Sequence, residues 1–233
     1  MKGAIYTIDH KTAIEFLLPR HYSGRKPQIT RAWGWYDCQS KEGCLPDSSH
    51  LKAVCTIGKP ASPPLCVGIC GPENSQYVYE LNRLCRVDDW NEPLSQFVGA
   101  ILRQCRINNW IVVSFSDTDM HHNGYIYQAC NFMYTGVTKE RTDKYTEGNK
   151  HCRHYDNEKQ GEFRKVRTAK HRYVYFCTID KRMKKRWMNA MNYPVQPYPE
   201  GENENYILGV FQEPKLVRGL TTASTRLAST LAS

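Results

Sequence analysis

A chain of 233 residues carries 32 Lys and Arg against 23 Asp and Glu, a formal charge of +9 at pH 7. That length can bury a core without disulfide or metal staples, and the cation excess points to an anionic partner, since Lys and Arg release condensed counterions from a phosphate backbone. Ten cysteines would suit a secreted scaffold, yet the start MKGAIYTIDH has neither an apolar h-region nor a small-residue cleavage site, so reduced thiols and a cytoplasmic location are expected. No stretch approaches the ~20 apolar residues of a membrane helix. Cys66 and Cys70 lack CxxC spacing, and neither Cys38 nor Cys44 has a partnered pair downstream, which argues against structural zinc.

In chain order, Ala13, Ile14, Leu17 and Leu18 share one helical face within 11–18, and Pro19 stops that helix. Arg20 to Arg25 then forms a polar loop that Pro27 keeps from resuming helix. Residues 29–35 and 51–57 read as strands of an early hairpin. Ser62-Pro63-Pro64-Leu65 is expected to break regular structure, and 76–87 to return as a central strand.

Leu94, Phe97, Val98, Ile101, Leu102 and Cys105 set helical spacing across 93–107, with Asn91 as the expected N-cap. The run 110–115, apolar but for Ser114, predicts a strand buried on both faces, ending in a polar turn from Ser116 to Asp119. A second helix over 124–132 and a strand over 133–137 follow. The charged, aperiodic stretch 138–162 is expected to be an exposed loop or insertion. Residues 172–178 alternate into a last strong strand, and 180–192 form a basic helix. The expected organisation is one domain over 1–215, with a basic DNA-contacting part at about 160–192, and a flexible tail over 216–233.

Three groups of residues could carry chemistry. His21-Tyr22 lies past a helix end beside Arg20 and Arg25; histidine titrates near neutrality, and a tyrosine hydroxyl can donate to developing charge. Asp117, Asp119, His121 and His122 crowd the carboxyl end of a buried strand, where α/β sheets collect ligands, although turn and cap chemistry accounts for such residues equally well. The run from Arg164 to Tyr173, with Lys181, Arg182, Lys184, Lys185 and Arg186 beyond it, suits backbone phosphates. There is no GxxxxGK[ST], GxGxxG or GxSxG, nor the HxE with PCxxC of zinc deaminases, which removes P-loop, Rossmann, esterase and deaminase chemistry.

Four strings taken in order resemble the phage Mom DNA-modification proteins. They are Pro19 to Arg25, Tyr79-Glu80-Leu81-Asn82-Arg83-Leu84, Ser116-Asp117-Thr118 with Asn123-Gly124-Tyr125-Ile126-Tyr127-Gln128-Ala129, and Lys165 to Tyr173. The likeness runs from about Thr12 to Tyr206. It implies a GNAT-like α/β fold, a mixed, mostly antiparallel central sheet flanked by helices. It also implies conversion of adenine in duplex DNA to N6-carbamoylmethyladenine, which shields phage DNA from host restriction. His21, Tyr22, Asp117 and Tyr127 match the family's HY, D and IYQA positions and are the implied catalytic group.

Asp117 or His21 is the expected base. Arg25, Arg164, Lys165, Arg167, Lys170, His171 and Arg172 are the expected DNA contacts. The adenine must leave the stack, with Trp33, Trp35 or Tyr22 as stacking platforms. The two-carbon donor is either an aminoacyl ester such as glycyl-tRNA, which would make tRNA a partner, or an acyl-CoA; a route through iron would use His21, Tyr22 and Asp117. Ordinary GNAT enzymes hold CoA pyrophosphate on a glycine-rich turn, whereas Arg86 to Pro93 here carries acidic side chains that would repel it. The rival readings are a GNAT-type N-acyltransferase using acetyl-CoA on a protein or small amine, and a non-catalytic DNA-binding protein.

Overall fold

The computed structural model describes residues 3–37, 48–146, 163–201 and 207–218. The chain forms two compact units, Met1–Thr138 with Lys170–Phe211, and Lys139–Ala169 with Gln212–Ser233.

The first unit is built on a seven-stranded sheet of order β1-β2-β3-β4-β5-β9-β6. Its strands are β1 (Ala4–Ile8), β2 (Arg31–Tyr36), β3 (Leu51–Gly58), β4 (Val78–Arg86), β5 (Trp110–Asp117), β6 (Met133–Val137) and β9 (Lys170–Cys177). Every adjacent pair is antiparallel except β4 with β5, so the sheet is mixed and mostly antiparallel as expected. The early hairpin is β2 with β3, and β1, which the sequence reading passed over, forms the edge.

Alternation along the strands sends side chains to two faces. On one face α3 (Leu94–Cys105) and α4 (Tyr125–Ala129) cover Trp33, Trp35, Cys55, Ile57 and Val112. On the other, α1 (His10–Leu17) packs Ala13, Phe16 and Leu17 on Ala32, Tyr36 and Val54, while α2 (Pro63–Cys70) and α5 (Lys181–Ala190) cover Ile111, Val113, Val174 and Phe176. Covering both faces explains why 110–115 reads as an apolar run broken only by Ser114.

Several local expectations are corrected. Ser62 to Leu65 opens α2 instead of breaking structure: Pro63 and Pro64 stand at the first helical positions, where the missing N–H would have had no partner. Helix α3 is capped at Pro93 without a side-chain bond, not by Asn91. Helix α4 is shorter than its pattern, because Gly124 at φ +72° starts it and Cys130 ends it.

The second unit contains a three-stranded antiparallel sheet of order β10-β8-β7, made of β7 (Arg141–Lys144), β8 (Phe163–Arg167) and β10 (Leu216–Arg218). Part of the expected loop is therefore strand, and residues 216–218 of the expected tail are paired. Residues 147–162 and 219–233, with Cys38 and Cys44, lie outside the described residues. The seven described cysteines carry no disulfide, and burial pushes the thiols of Cys70 and Cys177 up to about 12, in line with reduced, inert thiols. No helix among the described residues is long and apolar enough to cross a membrane.

Candidate active site

The parallel pair β4/β5 stays in register only from Val78↔Ile111 to Glu80↔Val113. Beyond it β4 pairs with β3 alone and β5 with β9 alone, so the two strands part. Where backbone pairing stops, the Ser114 hydroxyl donates to Leu81 O at 2.9 Å and bridges the gap.

A bulge in β4 decides what faces this gap. Thr56 pairs with Arg83 and Ile57 with Leu81, so Asn82 is the extra residue. The inserted residue puts Glu80 and Arg83, three apart in sequence, on the same face. Asn82 is pinned there, accepting from the Thr56 hydroxyl at 2.7 Å and donating to Gln28 O at 2.7 Å. Gly58 lets the crossing chain approach, since a Cβ there would collide with Gln28 O.

The loop after α1 folds back because the N–H groups of Arg20 and His21 both donate to Leu17 O. The turn is closed by Gly24 N–H donating to His21 O at 3.0 Å, with Gly24 at φ +55°. His21 is thereby buried at 8% exposure, its ring stacked on Tyr22 at 4.4 Å, and His122 meets Tyr22 edge-on at 6.1 Å. The Ser23 backbone N–H donates to His21 Nδ1 at 3.2 Å. A backbone N–H can only donate, so the neutral ring carries its proton on Nε2. Burial, reinforced by the positive charges of Arg83, His122 and Lys170, holds the imidazole at about 3, well below its usual range.

Asp117 ends β5 and is 4% exposed. Lys170, its antiparallel partner on β9, donates to Oδ2 at 2.7 Å, and the Asp119 N–H donates to Oδ1 at 3.2 Å. Burial, with the negative charge of Asp117, pushes the Tyr22 phenol up to about 12. Tyr127 reaches the gap from the opposite face on α4, hydrogen-bonded to Ser114, and burial holds its phenol well above the ordinary range. Tyr22 is one of the groups whose charge Tyr127 feels, so the parted strands let the two faces meet. His21, Tyr22, Asp117 and Tyr127, spread over more than a hundred residues of sequence, thus belong to one neighbourhood.

Glu80 and Arg83 belong to it too and are absent from the site expected from sequence. The Glu80 carboxyl is raised by burial and drawn back down by Arg83 and Lys170. The Arg83 guanidinium donates to Asn82 O at 2.6 Å and Arg25 O at 3.3 Å, which ties the loop to β4. A strand that carries Glu80, Asn82 and Arg83 in a central position is the signal that could have found them.

The expected DNA contacts separate. Arg172 is 8% exposed, bonds Thr135 Oγ1 and O at 2.9 and 2.8 Å and stacks on Tyr193, so it holds β9 to β6 and offers nothing to a phosphate. Lys170 serves Asp117, and the His171 ring is paired with the Tyr134 hydroxyl at 2.9 Å. Arg25 lies in the loop beside Arg83. In the second unit, Arg164 donates to Thr142, and Arg167 pairs with Asp143 at 2.7 Å; Lys165 lies on β8 between them. Trp33 and Trp35 are buried under α3 and cannot stack on a flipped base.

Neither an iron centre nor a CoA cradle is well served. Asp117 is closed by Lys170 and Asp119 N–H, the Lys170 ammonium opposes a cation, and among the described residues no three His, Cys, Asp or Glu side chains group as metal ligands. The turn before α3 seats the buried Trp90 against Trp35 and exposes Asp88 and Asp89 where a pyrophosphate would need open N–H groups.

Among solved structures the chain is similar to an N-acetyltransferase from Staphylococcus aureus Mu50, at 10% identity and TM-score 0.45, covering 76% of this chain and 100% of that one. It is also similar to Arabidopsis thaliana NAA60 in complex with acetyl-CoA, at 11% identity and TM-score 0.42, covering 74% and 98%. No curated protein matches the chain. Residues 3–200 match the Mom protein family, a span that contains all four of the strings that carry the resemblance and every residue of the site around the parted strands; the chain belongs to the Mom protein family.

Proposed function

We propose that this chain is a DNA-modifying transferase that converts adenine in duplex DNA to N6-carbamoylmethyladenine and so protects phage DNA from host restriction. The observation that supports it most is the shared neighbourhood of Tyr22 with Asp117 on one face of the sheet and Tyr127 on the other, within a chain of the Mom family.

The roles follow from protonation. Tyr22 and Tyr127 keep their protons at neutral pH and act as hydroxyl donors to charge that develops on the donor group. His21, neutral with its proton on Nε2, is a third donor. The Lys170–Asp117 pair fixes the end of β5 beside them. The adenine is turned out of the stack, at a cost of a few kcal/mol, against Tyr22 as the aromatic platform. The donor is an activated two-carbon unit that carries its own nitrogen, a glycyl ester or a glycyl thioester.

Phosphate contacts come from Arg25 and from Arg164, Lys165 and Arg167 of the second unit. Helix α5 adds an exposed basic face, an open depression of about 500 Å³ lined by Arg182, Lys185, Arg186, Asn189 and Ala190; each phosphate neutralised adds salt-dependent affinity.

The test is mass spectrometry of nucleosides from plasmid DNA of cells that express the chain, beside an Asp117→Ala control. A deoxyadenosine heavier by one carbamoylmethyl group, absent from the control, is expected. Unmodified deoxyadenosine with the chain folded would overturn the reading in favour of N-acyl transfer to another amine.

A further inference from the structure

An amine that forms a new N–C bond must lose a proton, and the groups first expected to take it are poorly placed to do so. His21 Nδ1 is occupied by the Ser23 N–H, and Nε2 already bears the proton. Asp117 holds Lys170 at 2.7 Å and the Asp119 N–H at 3.2 Å. The phenols of Tyr22 and Tyr127 are fully protonated near neutrality.

Glu80 differs from all of these. It sits on β4 at the last residue pair before the strands part, and the bulge at Asn82 sets it on the same face as Arg83. Alternation along β5 puts Asp117 on that face as well, in step with Ile111 and Val113. Its carboxylate is only partly exposed and makes no hydrogen bond or ion pair among the described residues. The titratable and charged groups that face it are Arg83, Lys170, Tyr127 and Cys66. Arg83 is held by two backbone carbonyls, and Lys170 is committed to Asp117. An unpaired carboxylate beside two cations that are both engaged elsewhere is open to a ligand's donor.

We infer that Glu80 is the catalytic base, accepting the proton of the exocyclic amine. The inference rests on the proposed reading that an adenine amine is the acceptor. One N–H bond breaks and its proton passes to Glu80, while the electron pair stays on nitrogen and forms the bond to the carbonyl carbon of a glycyl ester or thioester donor; the resulting N6-glycyl amide is an isomer of the carbamoylmethyl product, and a later intramolecular rearrangement that needs no further reactant converts one into the other. In the transfer itself the carbonyl carbon's bond to its leaving oxygen or sulfur breaks, the pair departs with the heteroatom, and the heteroatom recovers the proton from Glu80.

The experiment compares wild type, Glu80→Gln, Glu80→Asp and His122→Gln by nucleoside mass spectrometry in single turnover between pH 5.5 and 9, with DNA affinity from fluorescence anisotropy. Glu80→Gln should lose on the order of 10²-fold or more in rate with DNA affinity within twofold, and Glu80→Asp should recover part of the rate. The wild-type rate should fall on the acid side as Glu80 protonates, and the residual Glu80→Gln rate should lack that limb. Glu80→Gln within threefold of wild type, an acid limb retained in Glu80→Gln, or an acid limb lost in His122→Gln instead would overturn the assignment. If the wild type leaves deoxyadenosine unmodified, the reading of the substrate fails, and isotope-edited infrared titration then tests Glu80 by itself. A carboxyl that titrates in the ordinary glutamate range would overturn the base role, and a raised one would retain it for a different amine.

Discussion

Replacing Lys170 by Met keeps most of the side-chain stem and removes the ammonium from Asp117. At the observed 2.7 Å the gross attraction is roughly 6 kcal/mol for an effective dielectric near 20, but desolvation of both ions offsets much of it. Removing one partner of a fully buried pair costs about 3–5 kcal/mol, because the other charge is left uncompensated. Asp117 meets that condition at 4% exposure, whereas Lys170 is 37% exposed and part of its attraction is screened. The expected destabilisation is therefore about 2–3 kcal/mol near pH 8. It should shrink as pH falls, because the stranded carboxyl relieves the strain by taking up a proton. All five tryptophans, at 33, 35, 90, 110 and 187, lie in the first unit, so urea unfolding followed by tryptophan fluorescence reads this unit. The double variant Asp117→Asn with Lys170→Met leaves no charge to strand and should regain more than half of the loss. The reasoning is refuted if Lys170→Met lies within 0.5 kcal/mol, roughly the scatter of a surface substitution, or if the double variant is no more stable than the single one.

Other outcomes follow from single contacts. Gly124→Ala should lower the melting temperature of the first unit by roughly 4 °C or more, since φ is +72° and the added Cβ would meet the Tyr173 ring; a stability equal to wild type would contradict that geometry. His21 is held neutral, with a folded value of about 3 against 6.5 unfolded. Its contribution to stability is complete above pH 6.5 and drains away as pH falls towards 3, with a slope of up to about 1.4 kcal/mol per pH unit; His21→Gln should remove that slope in acid unfolding curves. Trp187→Ala should cost about 3–5 kcal/mol by detaching α5, whose fully buried anchor it is, and helicity measured by circular dichroism should fall with it. Tyr127→Phe should leave stability within about 1 kcal/mol while DNA modification drops, and a variant that modifies DNA at the wild-type rate would remove Tyr127 from the reaction.

Much of the fold was legible because its hydrophobic pattern carries it. The i, i+3, i+4 spacing in α1 and α3 and the apolar run of β5 fix both element type and burial. What failed depends on backbone rules that override pattern. Pro63-Pro64 is a breaker inside a helix and a good start for one, and only the chain before it decides which. Strand β1 has two exposed positions in five, Tyr6 and Thr7, and takes its place as an edge partner of β2, information held in β2. The proposed catalytic group came from the order of motifs, and its loop and turn positions were visible as polar clusters after a helix end and a strand end.

Glu80 was hidden for a different reason. Strict alternation assigns residues three apart to opposite faces, so sequence separates Glu80 from Arg83. The register Thr56↔Arg83 and Ile57↔Leu81 shows one residue added, and that insertion rotates everything before it by half a pleat relative to everything after. No composition signal marks the bulge except Asn82 itself, a polar residue in the middle of a central strand whose amide is spent on Thr56 and Gln28. The same insertion lies two residues beyond Glu80, the last residue of β4 paired with β5. One irregularity thus turns a carboxylate towards the opening and anchors a guanidinium beside it. Replacing Asn82 by Ala removes the two side-chain bonds that pin the bulge, at about 1 kcal/mol each. If the bulge is what sets Glu80, that variant should slow DNA modification by a larger factor than its loss of stability accounts for. A modification rate that simply follows the folded fraction would show that the strand holds Glu80 in place without Asn82.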